Sequence, residues 1–196
     1  MTERSYHLPA LAACLAALGL PVFWMLDIVL TGFTDWRSLA SPSFNAGDVV
    51  FLGLGGLMVF ALLGLRGWLR ERLNYRTLDI PLTLLALLTA LFHSMLFLLA
   101  LATLFLPDDV SSLLSIISFI GFIVLFGLLD IVIGILLLRD REQLPGLLTA
   151  YAIVSGLLGL LELSVILSPG ALVLLPLQMA LIALTLVYRP DVLEVI

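Results

Sequence analysis

Six predominantly apolar stretches follow one another through this 196-residue chain, at about 8–33, 49–69, 80–106, 111–138, 147–167 and 170–188. A hydrocarbon layer about 30 Å thick is crossed by about 20 apolar residues in a helix. Only helices and closed barrels satisfy their own backbone polar groups there. The expected fold is therefore all-α: a polytopic membrane protein, a six-transmembrane-helix bundle forming one domain over residues 1–196. Composition agrees, because 62% of the residues are hydrophobic, 12% are charged and the mean hydropathy is +1.23, against about half apolar and a quarter charged in a soluble domain. No gap between apolar stretches exceeds about 15 residues, which leaves no room for an extramembrane nucleotide-binding or catalytic domain.

The connections carry helix-breaking residues: Ser41, Pro42, Ser43, Asn45 and Gly47 after the first stretch, Pro81 at the start of the third, Pro107 after it. Pro145 with Gly146, and Ser168 to Gly170, punctuate the last two turns. All nine basic residues are Arg. Arg4, Arg66, Arg70, Arg72, Arg76, Arg139, Arg141 and Arg189 fall on one side of a six-span topology and only Arg37 on the other. The positive-inside rule then places both termini in the cytoplasm. Tyr6, Tyr75, Tyr151, Tyr188 and Trp68 are expected at the inner interface and Trp36 at the outer. The absence of Lys with abundant Leu and Ala points to a GC-rich bacterial genome, hence to an inner (plasma) membrane.

Leu11-Ala12-Ala13-Cys14 has the look of a lipoprotein processing box, but too few apolar residues precede Cys14 for a signal peptide and the apolar run continues to Phe33. Cys14 reads instead as a small buried residue on the first helix, where Ala12/Ala16 and Ala13/Ala17 form small-xxx-small pairs. A lone cysteine excludes an internal disulfide and Cys-ligated zinc or iron–sulfur sites.

Sliding the chain against itself by 103 positions lays Leu26-Asp27-Ile28-Val29 on Leu129-Asp130-Ile131-Val132, Phe23 on Phe126, and Pro42 on Pro145. Gly53-Leu54-x-Gly56-Leu57 likewise falls on Gly156-Leu157-x-Gly159-Leu160. The pattern fails at the third and sixth stretches. Half-repeats 1–106 and 107–196 of three spans each would form a 3+3 inverted repeat, an architecture that places a pathway at the interface of the halves. The competing reading is chance recurrence in a Leu-rich alphabet.

Five polar side chains fall inside the stretches: Asp27, His93, Asp130, Glu162 and Gln178. A carboxylate in hydrocarbon costs several kcal/mol unless it is paired, protonated or facing water, so each is a functional candidate. At 1.5 Å per residue, Asp27 and Glu162 lie about 9 and 8 Å from the outer ends of their stretches and Asp130 about 12 Å from the inner end of its own. This reading makes Asp27 and Glu162 an outer acidic pair, Asp130 an inner counterpart, and His93 with Gln178 a central relay or substrate contact. The bland alternative is interhelical hydrogen-bond glue, the preferred reading for His93 and Gln178.

The segment Arg66 to Asp79, with Arg66, Arg70, Arg72 and Arg76 opposite Leu65, Trp68, Leu69 and Leu73, is expected on the membrane surface. It is an inside anchor that could also hold anionic lipids at the cytoplasmic face or an acidic partner. No Gly-x-Ser-x-Gly, phosphate loop or His-Glu-x-x-His occurs, and His7 and His93 are the only histidines. No enzyme activity, metal, cofactor or nucleic-acid partner is therefore expected. The expected function is a small transporter or channel for a proton, cation or small cationic solute that uses the intramembrane carboxylates, as a homo-oligomer or with membrane partner subunits. The alternative is a non-catalytic membrane subunit that scaffolds or anchors a larger complex.

Overall fold

The computed structural model describes residues 5–31, 44–164 and 170–188, without the side chains of residues 27–31, 108, 109 and 112. The described residues form six α-helices and no strand: α1 His7–Thr31, α2 Ala46–Arg72, α3 Asp79–Ala102, α4 Asp108–Arg139, α5 Gly146–Leu163 and α6 Ala171–Val187, with a short 3₁₀ turn at Arg141–Gln143. Five are long and apolar enough to cross a membrane, and α6 is also apolar but has 17 residues. Apolar side chains cover the outside as well as the core. On α1, Leu8, Leu11, Leu15, Leu18 and Val22 form an exposed stripe, while Ala13, Ala16 and Leu20 are buried. A helix apolar on all sides belongs in lipid. The chain has the pattern of a membrane-embedded protein.

Helix ends follow local chemistry. Asn45 caps α2: its side chain accepts from the Gly47 N–H at 2.6 Å, and its own N–H donates to Asp48 at 2.8 Å. Asp48 in the first turn and Arg70 and Arg72 in the last both suit the helix dipole. The turn into α3 uses Asn74 at φ 50°, a left-handed conformation that asparagine tolerates. α3 stops at Ala102 rather than at the expected residue 106, because Pro107 disfavours helical backbone just before it and the Thr103 hydroxyl bonds back to the Ala100 carbonyl at 2.7 Å.

Each helix packs against its neighbours in sequence, and α6 closes back on α1 while also touching α2. Successive helices alternate in direction, so the starts of α1, α3 and α5 share one end with the ends of α2, α4 and α6. That end is clamped by Tyr6 to Glu71 at 2.6 Å, Arg66 to Asp79 at 3.4 Å, and Tyr75 to Asp140 at 2.8 Å. Arg70, Arg72, Arg76, Arg139 and Arg141 are exposed there. Arg4, Arg37, Arg189 and Trp36 lie outside the described residues.

Three expectations change. The segment carrying Arg66 and Arg70 is helical, as the last two turns of α2, but Leu65, Trp68 and Leu69 on its apolar side are 1% exposed in the bundle core rather than turned to a membrane surface. Trp68, Tyr6 and Tyr151 are buried rather than set in an interfacial belt, because all three point inward toward neighbouring helices. Cys14 is exposed, since the contact face of α1 is taken by Ala13 and Ala16.

The closest helix contact is α4 on α5. A Cβ added at Gly159 would meet the Gly127 carbonyl at 2.5 Å, and one at Gly134 would meet the Ala152 carbonyl at 2.8 Å. These backbones touch because glycine leaves no side chain between them. Gly53 and Gly56, which the 103-residue offset aligns with Gly156 and Gly159, have nothing within 4 Å of an added Cβ.

Gly159→Leu should therefore lower stability by about 1–3 kcal/mol through overpacking, read as a reduced melting temperature in detergent, while Gly53→Ala should not lower it. A second expectation concerns the clamped end. Burial and the hydrogen bond to Asp140 push the Tyr75 hydroxyl from its ordinary value of 10.0 up to about 12. The folded state thus holds this proton more tightly than the unfolded chain. The contribution is complete below pH 10 and disappears as pH rises towards 12, so alkaline destabilisation in that window should diminish in Tyr75→Phe.

Candidate functional site

The half of the bundle away from the arginines encloses a cavity of about 510 Å³ lined by residues from all six helices. Its polar lining comes from Thr89 and His93 on α3, Asp130 on α4, Glu162 on α5 and Gln178 on α6. The remainder is mostly aliphatic, with Phe51, Phe92, Phe119, Phe126 and Trp24, which brings an indole N–H, as its aromatic residues.

The α4–α5 glycine contact places the acidic side of this cavity. Asp130 lies between Gly127 and Gly134 and is 3% exposed. On α5, Ser155 and Glu162 lie seven residues apart, two turns along one face. Gln178, about halfway along α6, reaches across to join them: its Nε2 donates to Asp130 Oδ1 at 2.7 Å and to the Ser155 hydroxyl at 2.8 Å. Both amide hydrogens are thus spent, which directs the amide oxygen elsewhere. Glu162 is 8% exposed and interacts electrostatically with Asp130, and its Oε2 has no hydrogen-bond partner among the described residues. The Tyr151 hydroxyl, fully buried beside Ser155 and Asp130, also lacks a hydrogen bond of good geometry.

Across the cavity His93 is held as a ring among rings. It stacks on Phe51 at 4.4 Å between centroids and meets Phe92 edge-on at 5.2 Å. Its ring lies directly on Gly55 of α2, where any added Cβ would collide with it. The Nδ1 stands 2.8 Å from the Thr89 carbonyl, and a carbonyl can only accept. Nδ1 therefore carries the proton, leaving Nε2 of the neutral ring as an acceptor. Thr89 in turn donates its hydroxyl hydrogen to the Leu85 carbonyl at 2.8 Å.

Four of the five sequence candidates thus line one cavity, with pairings different from those expected. Asp130 and Glu162, expected apart, come within electrostatic reach, because α5 ends at Leu163 and its Glu162 turn packs beside α4. His93 and Gln178 share the cavity, yet Gln178 is engaged by Asp130 and Ser155 rather than by His93. The Asp27 side chain lies outside the described residues. Ser155, Thr89 and Gly55 were not among the expected site residues. Ser155 and Gly55 become partners only through α6 and α3, and the seven-residue register of Ser155 with Glu162 is the one sequence signal that could have pointed to it. Among the described residues no group of three or more His, Cys, Asp or Glu side chains is arranged to hold a metal. Arg66, Arg70, Arg72 and Arg76 stand apart from the cavity at the opposite end.

In comparisons with family models, curated proteins and solved structures, nothing matches this chain.

The Gln178–Asp130 bond can be weighed by a double-mutant cycle with Asp130→Asn and Gln178→Leu. Interhelical hydrogen bonds in membranes average about 0.6 kcal/mol and reach about 1.7. A coupling towards the upper end is expected in unfolding measurements, because Gln178 serves Asp130 and Ser155 together.

Proposed function

We propose that this protein is a small membrane transporter or channel that binds a proton, cation or small cationic solute at Asp130 and Glu162 and passes it through the cavity between the helices. The observation that carries this reading is the Glu162 carboxyl: it is buried in the wall of a cavity, beside a second acid, with an oxygen that has no hydrogen-bond partner among the described residues. Structural acids in membranes are ordinarily paired, so a buried acid in a cavity wall that lacks such a partner suits a ligand or ion. The absence of any Arg or Lys among the described residues of the cavity lining favours a cation over an anion. No nucleophile–base pair marks the site for catalysis, so the role proposed is binding and transfer.

In the same reading α6 completes a sixth span, and the exposed arginines at one end put that end, with both termini, on the cytoplasmic side of the plasma membrane. Arg70, Arg72 and Arg76 then face anionic lipid head groups. The closed ring of neighbours is compatible with halves α1–α3 and α4–α6 related by inversion, although Gly56 and its counterpart Gly159 have different surroundings. A homo-oligomer suits a protomer that encloses so narrow a path.

The test is flux of H⁺, Na⁺ and K⁺ in proteoliposomes. Glu162→Gln and Asp130→Asn are expected to reduce flux of the transported cation at least tenfold, with size-exclusion profiles unchanged. Absence of flux from the unaltered protein, with the same variants breaking up an assembly, would move the reading to a non-catalytic membrane subunit.

A further inference from the structure

The cavity has a hydrogen-bond polarity that narrows its ligand. Thr89 has given its hydrogen to Leu85, His93 has given its Nδ1 hydrogen to Thr89, and Gln178 has given both amide hydrogens to Asp130 and Ser155. What these groups turn to a ligand is the Thr89 oxygen lone pair, the His93 Nε2 lone pair and the Gln178 amide oxygen. Ionised Asp130 and Glu162 also only accept. With both acids ionised, these five side chains offer acceptors, and the Trp24 indole N–H is the one donor among the described lining residues. An anion finds no Arg or Lys among the described lining residues.

The rest of the lining narrows it further. Phe92 packs against Phe51, Phe119, Phe122 and Phe126 with centroids 5.5–6.2 Å apart, a continuous aromatic cluster. A bare inorganic cation needs about six or more oxygens to replace its water, and the apolar wall supplies none. A volume of about 510 Å³ falls among pockets that bury an organic molecule of drug size. Aromatic faces attract an organic cation as well as its apolar body.

We propose that the cavity binds a protonated lipophilic amine, with its ammonium N–H groups on Glu162 and the neighbouring acceptors and its apolar body against the Phe92 wall. This rests on the cation reading above and names the class of cation.

The experiment is equilibrium binding of four probes with one naphthyl body to the purified protein in phosphatidylcholine nanodiscs, with empty discs as blank: 1-naphthylmethylammonium, its trimethylated quaternary analogue, 1-naphthylmethanol and 1-naphthylacetate. The ammonium should bind at least tenfold more tightly than the alcohol, the quaternary probe more weakly than the ammonium, and the carboxylate not at all. Glu162→Gln should bring the ammonium down to the level of the alcohol. Thr89→Val, nearly isosteric and removed from the acids, should weaken the ammonium severalfold without changing the alcohol. Alcohol, carboxylate or quaternary binding equal to that of the ammonium overturns the proposal, as does ammonium binding that survives both substitutions. Inorganic cation flux that depends on Glu162, without ammonium binding, overturns this inference alone; absence of both flux and binding overturns the broader reading too.

Discussion

The contact of α4 with α5 through Gly127, Gly134 and Gly159 is the constraint on which the polar interior depends. Where two helix backbones touch, side chains on either edge of the contact are carried forward into the space in front of it. Asp130 and Glu162 occupy those edges and face α6, which answers with Gln178. A larger residue at the contact would separate the helices and with them the acids. The small residues are therefore not merely a packing convenience: they bring two carboxyl groups from different helices into one polar cluster.

The opposite wall is built by another glycine. Gly55 lets the His93 ring lie on the backbone of α2, and Phe51 and Phe92 hold that ring from two sides. The result is a cavity lined by two acids and a cluster of aromatic rings. It lies in one half of the bundle, while the other half is closed by Leu65, Trp68, Leu82 and Leu137. Tyr6, Tyr75 and the Arg66–Asp79 pair clamp the closed end. This asymmetry gives the molecule an end where helices are tied together and an end where they surround open space.

Much of this was legible in the residues. Asp130, Glu162, His93 and Gln178 stood out as polar groups in apolar helices, and all four line the cavity. Their pairing was not legible. Counting rise along separate helices placed Asp130 and Glu162 in different leaflets, because depth within one helix says nothing about how two helices slide past each other. The glycine contact sets that slide. The same limit applies to Trp68 and Tyr151, whose position near a helix end suggests an interfacial ring but whose burial depends on which face a neighbour covers. Ser155 and Thr89, polar and small, are unremarkable until their partners are known.

The sequence by itself determined what is local: the number of apolar segments, the breaks at Asn45, Pro107 and Pro145, and the concentration of arginines at alternate connections. Each follows from backbone propensity or from the cost of placing charge in hydrocarbon, and neither needs a partner. Tertiary structure alone decided which polar groups meet, which hydrogens they spend on one another and which lone pairs remain to face the cavity. Those are properties of pairs of helices, fixed by contact between surfaces that lie far apart along the chain.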